Sequence, residues 1–267
     1  MKRLEYQTIK TEVINNVGRI YLDRAEAGNS VTLEFARELE SISSIFKEKK
    51  EVRVVVIAGR GKHFSVGGDL KAFAEKSNIS SHLREVTVPL HQAINNLVTM
   101  KKPVVAEVNG TVAGGGIGIV CAADIVVASE NSRFVMAYTK AGLTPDGSTS
   151  YFLPRLIGLK KSLELALLNR KLTAEEALQW GIVTRVCQEE QLSEEVQKIA
   201  NELIAGATEA FGLTKELLYH SFEHTLLEQM EKESLQISDR VSSEEGQEGI
   251  RAFLEKRKPD FSNNTRT

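Results

Sequence analysis

A chain of 267 residues, 42% apolar and 26% charged, has the make-up of a globular protein with one large domain, or a domain with an appendage. Its 34 basic and 36 acidic residues leave a formal charge of −2, which gives no general pull toward nucleic acid or an anionic membrane. Two cysteines are too few for a disulfide framework, no apolar run nears the ~18 residues of a membrane span, and MKRLEYQTIKTEV lacks a secretory signal's apolar core; the expectation is a soluble, cytoplasmic protein.

In chain order, residues 6–13 and 17–22 read as two strands around Asn15-Asn16, which predicts a hairpin. Thr32 is placed to cap a helix carrying Leu33, Phe35, Ala36, Leu39, Ile42 and Ile45 at helical spacing. Residues 52–58 (VRVVVIA) form a buried strand, and His63-Phe64-Ser65-Val66-Gly67-Gly68-Asp69-Leu70 is a glycine-rich turn into a helix. A helix over 82–99 and an apolar strand at Pro103-Val104-Val105-Ala106 continue an alternation that argues for an α/β fold with parallel strands. Beyond Pro154 the pattern is helical over 155–169, 173–180, 193–205 and 210–245, with one short strand over 182–186. The ordered chain is expected to end near Pro259, with Asn263 to Thr267 frayed.

Residues 101–154 organise the rest. Gly114-Gly115-Gly116 stands between a strand and an apolar helix expected over 117–123. Glycines at such a junction let the backbone approach a ligand closely, and the first N–H groups of the helix point at it. The dinucleotide fingerprint is not met: Gly116 and Gly118 supply its first two glycines, but Cys121 holds the third position, and no Walker sequence occurs. Two strand–glycine–helix turns, at 66–68 and 114–116, instead offer two N–H donors to one carbonyl oxygen, which suits a developing oxyanion. Asp146, in Pro145-Asp146-Gly147, is the one carboxylate between Glu130 and Glu164 and the candidate to move a proton. The plain alternative is that Asp146, or one of residues 148–150, caps the next helix.

These turns, with Lys102-Pro103-Val104-Val105-Ala106-Glu107-Val108-Asn109-Gly110, Ala123-Asp124-Ile125, Gly142-Leu143-Thr144-Pro145-Asp146-Gly147, Leu172-Thr173-Ala174-Glu175-Glu176-Ala177 and Gly181-Ile182-Val183, make the chain similar to the crotonase, or enoyl-CoA hydratase/isomerase, family. The resemblance implies a spiral of ββα repeats over residues 1–200 that binds acyl-CoA, and a helical trimerisation or lid region over 201–267. It implies homotrimers or hexamers of paired trimers. The substrate is an acyl-CoA thioester, with coenzyme A as part of the substrate and no separate cofactor or metal. By the same resemblance, Val66 and Gly115 donate to the thioester carbonyl, with Gly67, Gly68, Gly114 and Gly118 along the substrate's path. Arg24, Ala25 and Ala27 line the CoA phosphate and pantetheine path, Ser65, Asp69 and Leu70 lie near the adenine, and Lys258 of a neighbouring subunit meets a CoA phosphate.

Departures from the family decide the reaction. Its hydratases carry two glutamates that position and activate water, and the matching positions here are Gly118 and Tyr138. What remains is Asp146, in a run resembling the phenylacetate-pathway isomerases, inside an apolar pocket expected from Val66, Met136, Tyr138 and Leu143. An enolate held by two N–H groups lets one carboxylate take a proton at one carbon and return it at another, the chemistry of an enoyl-CoA isomerase. His91 and Tyr138 match positions used in the aryl-CoA dehalogenase branch, so a dehalogenase- or thioesterase-like hydrolase using Asp146 and His91 is the alternative, alongside a hydratase. A packing or surface role is the plain reading of His91. An inactive acyl-CoA- or RNA-binding relative is the non-enzymatic alternative; the absence of a basic stripe speaks against RNA. Residues 71–90 are expected to form the variable wall that selects the acyl group. His63, His82, His220 and His224 show no metal spacing.

Overall fold

The computed structural model describes residues 5–261. The chain opens with the hairpin of β1 (Ile9–Ile14) and β2 (Val17–Leu22). Asn15 and Asn16, with φ of 49° and 66°, take the two left-handed positions that a two-residue turn requires and asparagine tolerates. Thr32 accepts the Phe35 N–H and starts α1 (Leu33–Glu48), whose buried face is Phe35, Ala36, Leu39, Ile42 and Phe46.

Three ββα turns follow. The first is β3 (Val54–Gly59), β4 (His63–Ser65), α2 (Leu70–Ala74) and α3 (Ile79–Thr99). The second is β5 (Val104–Val108), β6 (Thr111–Ala113) and α4 (Gly115–Cys121). The third is β7 (Ile125–Ser129), β8 (Arg133–Val135), a 3-10 turn Tyr138–Ala141 and α5 (Thr149–Ile157). The chain continues through α6 (Leu159–Leu168), β9 (Leu172–Thr173), α7 (Ala174–Trp180), β10 (Arg185–Cys187) and α8 (Leu192–Ile204). First strands join a six-stranded sheet ordered β1-β2-β3-β5-β7-β10, and second strands a four-stranded sheet ordered β4-β6-β8-β9. Among the described residues only β1/β2 and β8/β9 pair antiparallel. This is the spiral that the resemblance implies.

The nearly unbroken apolar strands are explained by cover on both faces. Val55 and Ile57 join the main core with α1 and α3, whereas Val54, Val56, Val105 and Val127 pack on Leu192, Val196, Ile199 and Ala200 of α8. The short strands β6, β8 and β9 have no counterpart in the sequence reading, and α4 begins two residues before the expected Ile117. The helix expected over 155–169 is two helices: Pro154 lies inside α5, and Gly158, at φ 79°, breaks the chain before α6.

The pattern over 210–245 is likewise divided, into α9 (Thr208–His220), α10 (Leu226–Ser242) and the start of α11 (Glu244–Leu254). Thr225 and Glu228 form a capping box for α10, and Ser243 caps α11 through the Gly246 N–H. α9 is tied to the body by Lys215, whose Nζ donates to Asp124 Oδ2 and to the Leu97 carbonyl, both at 2.8 Å. Burial pushes the Asp124 carboxyl up and the Lys215 ammonium down, while each group's charge opposes that shift in the other. Among the described residues no helix is long and apolar enough to cross a membrane. Asn263 to Thr267 lie outside the described residues.

Candidate active site

The two glycine turns are built against each other. Ser65 ends β4 with its side chain fully buried; its hydroxyl donates to the Asn29 carbonyl (2.9 Å) and accepts the Gly67 N–H (3.3 Å). Gly67 stands at φ 86°, and a Cβ there would meet the Ala113 carbonyl oxygen at 2.8 Å and the Gly115 nitrogen at 3.2 Å. Only glycine allows both that conformation and that approach.

The contact settles which N–H groups are free. Val66 was expected to donate to the substrate, but its N–H donates to the Gly28 carbonyl at 3.0 Å. That bond belongs to the stitching that also joins Val31 N–H to Gly67 O and Asp69 N–H to Val31 O. The adjacent Gly68 N–H has no acceptor among the described residues, and Gly68 lines the same cavity as Gly115. Gly115 is the first residue of α4, so its N–H has no intrahelical partner. The free pair is therefore Gly68 and Gly115.

Other expectations change for the same reason, that side chains are already engaged. Ser65 is buried beneath the turn and is not part of the lining of the cavity that Gly68 and Gly115 share. Asp69 caps α2 through the Ala72 N–H, accepts from Ser30 and pairs with Arg24 Nη2 at 3.2 Å. Burial raises its carboxyl, but these donors together hold it below the usual carboxylate range. Arg24 spends its other guanidinium bonds on the Ser30 carbonyl and hydroxyl, so it braces the loop. Ala25 and Ala27 form an adjacent 3-10 turn, Ala25 exposed. Leu70 is exposed and lines the cavity, as does Gly114 at φ 49°. Met136, expected in the apolar pocket, is buried in the core behind it. Lys258 lies beyond α11 with an exposed side chain and outside the cavity lining.

The cavity, of about 370 Å³, has α3 as one wall, through Leu83, Val86 and Leu90, and Leu143 and Tyr138 opposite. That α3 wall falls within the span 71–90. Among the described residues Asp146 is the only carboxylate in its lining. The Asp146 backbone carbonyl accepts from Tyr138 Oη (2.9 Å), Thr149 Oγ1 (2.9 Å) and the Thr149 N–H (3.3 Å). Its side chain does not cap α5, which has no side-chain cap. The carboxylate is instead met by His91 Nε2, 2.6 Å from Oδ1. Burial, then the nearby Asp146 charge, pushes the Tyr138 phenol up, so it stays a protonated donor. Gly118 lies beneath the loop: a Cβ there would stand 1.7 Å from the Gly147 carbonyl oxygen.

Sequence reasoning missed the Gly68 N–H, whose freedom depends on a bond between Val66 and a residue 38 positions away. It also missed Arg84, which lines the cavity on the same face of α3 as Leu83 and Thr87; helical spacing was the available signal. Among the described residues no three His, Cys, Asp or Glu side chains gather to hold a metal. His220 and His224 stack with ring centres 5.5 Å apart and no third ligand.

The sequence pattern of the enoyl-CoA hydratase/isomerase family matches residues 12–264. A trans-2-decenoyl-[acyl-carrier-protein] isomerase of Streptococcus mutans is 31% identical over 97% of this chain and 99% of its own. A 4-chlorobenzoyl coenzyme A dehalogenase of an Arthrobacter species is 32% identical over 82% of this chain and 80% of its own. The crystal structure of an enoyl-CoA hydratase from Polaromonas superposes with a TM-score of 0.90 at 31% identity, covering 94% of this chain and 98% of that one. The fold is that of the crotonases, and the chain belongs to the enoyl-CoA hydratase/isomerase family.

Proposed function

We propose that this family member is an enoyl-CoA isomerase that moves a double bond through a thioester enolate. The thioester carbonyl sits between the Gly68 and Gly115 N–H groups. Asp146 takes a proton from C2 of a 3-enoyl chain; the electron pair of that C–H bond passes into the dienolate, whose charge rests on the thioester oxygen. Asp146 then returns a proton to C4, giving the 2-enoyl thioester. Removing one donor of such a pair costs about 3–4 kcal/mol of barrier.

One observation carries this reading: among the described residues a single carboxylate, Asp146, lines the cavity that Gly68 and Gly115 also line. Hydration by the family's route calls for two carboxylates on one water, and at Gly118 the Gly147 carbonyl leaves no room for a side chain. Mixing the protein with 3-enoyl-CoA and with 2-enoyl-CoA, beside Asp146→Asn, tests it. Conversion of the first to 2-enoyl-CoA, lost in the variant, is the expected result. Hydration of the second, untouched by the variant, would overturn the assignment.

The 2.6 Å contact of His91 with Asp146 favours a second reading, a hydrolase in which Asp146 is the nucleophile and His91 activates water. Halide release from a 4-halobenzoyl-CoA, with an aryl ester trapped on Asp146 in His91→Gln, would establish it. We further propose assembly as a homotrimer or a pair of trimers. Exposed Leu218, Leu226, Leu227 and Phe253 on the C-terminal helices, with Phe222 in the turn between α9 and α10, support this, and Lys258 is then carried toward a neighbour's CoA phosphate.

A further inference from the structure

The hydrogen bond between His91 and Asp146 joins two cavities that share no lining residue. Asp146 lines the front cavity with Gly68 and Gly115, whereas His91 lines a rear cavity of about 600 Å³ between α3, α5 and α9. The rear cavity is edged by Asn95, Thr99, Ser148, Glu216, His220 and Glu223, side chains whose polar atoms can hydrogen-bond water. The His91 side chain is 51% exposed, and the bond to Asp146 is its one hydrogen bond among the described residues. The ring is thus free to turn between the carboxylate and the rear cavity.

We infer that His91 is a proton shuttle, exchanging the proton held by Asp146 with rear-cavity water while the thioester fills the front cavity. The inference rests on the isomerase reading. When the C2–H bond breaks, its electron pair enters the dienolate and the Asp146 carboxylate becomes a carboxylic acid. Asp146 passes that proton to Nε2 of the His91 ring, which accepts it when the ring's own hydrogen is on Nδ1, leaving a carboxylate and an imidazolium. The ring turns, exchanges the proton for one from water, and turns back. It returns the solvent proton to Asp146, which delivers it to C4 and closes the dienolate to the 2-enoyl thioester. No proton is gained or lost overall; the substrate's is replaced by the solvent's. Without the shuttle, the proton taken from C2 is the one delivered to C4 inside a cavity closed by the substrate. His91 acts through Asp146 and touches no reacting carbon, so the fate of the proton reports its role better than the rate does.

The test converts a 3-enoyl-CoA bearing two deuteriums at C2 in ordinary water and reads deuterium at C4 of the product by mass spectrometry. The wild-type product is expected to have lost most of the transferred label. His91→Gln keeps a hydrogen-bond donor beside Asp146 but carries no proton, so the label at C4 should rise about fivefold or more even as turnover falls. Asn95→Trp, one turn further along α3, fills the rear cavity and should also raise retention of the label at C4. Equal label in the wild type and His91→Gln would overturn the shuttle and leave the isomerase standing. Wild-type washout in Asn95→Trp would overturn the rear route. Failure of the wild type to convert any 3-enoyl-CoA would overturn the isomerase reading, and the shuttle with it.

Discussion

A Cβ on Gly118 would stand 1.7 Å from the carbonyl oxygen of Gly147. The loop that presents Asp146 therefore lies directly on α4, at the position that the family resemblance matches to one of the hydratase glutamates. The loop geometry and the missing glutamate are one fact: the close approach that fixes Asp146 excludes the side chain. Restoring the carboxylate by Gly118→Glu should consequently produce no hydratase. The expected outcome is a lower Tm, no 3-hydroxyacyl-CoA from 2-enoyl-CoA, and isomerisation lost as the Asp146 loop is displaced. Gly118→Ala should already cost about 1–3 kcal/mol by overpacking. Hydration by the glutamate variant would show that the loop yields and that one carboxylate does not define the site.

Gly67 is the hinge of the donor pair, because a side chain there would run into both Ala113 and Gly115. Gly67→Ala adds a methyl 2.8 Å from the Ala113 carbonyl oxygen at φ 86°, so the two turns must part. The cavity walls that carry the Gly68 and Gly115 N–H groups are then driven apart. A fall in kcat of about 10²–10³-fold is expected, the size reported by loss of one oxyanion donor. Steady-state kinetics check this: a KM effect with kcat intact would mean that the turns bind the thioester without stabilising its enolate.

Lys215 and Asp124 pair at 2.8 Å with side-chain exposures of 10% and 21%. Lys215→Met leaves the Asp124 carboxylate buried without its cation and frees α9 from the Leu97 carbonyl. Breaking one side of a buried pair costs about 3–5 kcal/mol. Adding Asp124→Asn should recover part of that loss, since the asparagine oxygen still accepts the Val104 N–H. Chemical denaturation of the single and double variants measures it, and an additive double loss would show that the two groups act independently.

What the sequence makes legible follows the range of the interactions involved. Val54 to Ile57 announce a doubly covered strand because every side chain there is buried, whichever face it takes. Asp146 stands out because no other acid lies near it in the chain. The four-stranded sheet is invisible because β6, β8 and β9 are two or three residues long and show no period. Val66 and Gly68 cannot be told apart as donors by any local pattern: the choice is made by Gly28, which takes one N–H and leaves the other. The meeting of His91 with Asp146 bridges 55 positions and depends on how α3 lies over the loop before α5.

Cys121, buried at the end of α4, offers a test of the core that is independent of the chemistry. Burial pushes its thiol up from 9.0 to about 12. The folded chain thus keeps the proton while the unfolded chain begins to lose it near pH 9.0, so above that pH the unfolded state binds fewer protons and stability falls. The contribution is fully present below pH 9.0 and drains away as pH rises toward 12. Between pH 8 and pH 10 the loss from this one thiol is about 1 kcal/mol. Urea denaturation of the wild type and Cys121→Ala at both pH values isolates it: the wild type should lose that much more stability than the variant over the interval. An equal loss in the two proteins would mean that the thiol meets water in the folded chain, and that the helix following the glycine turn is less tightly closed than its burial implies.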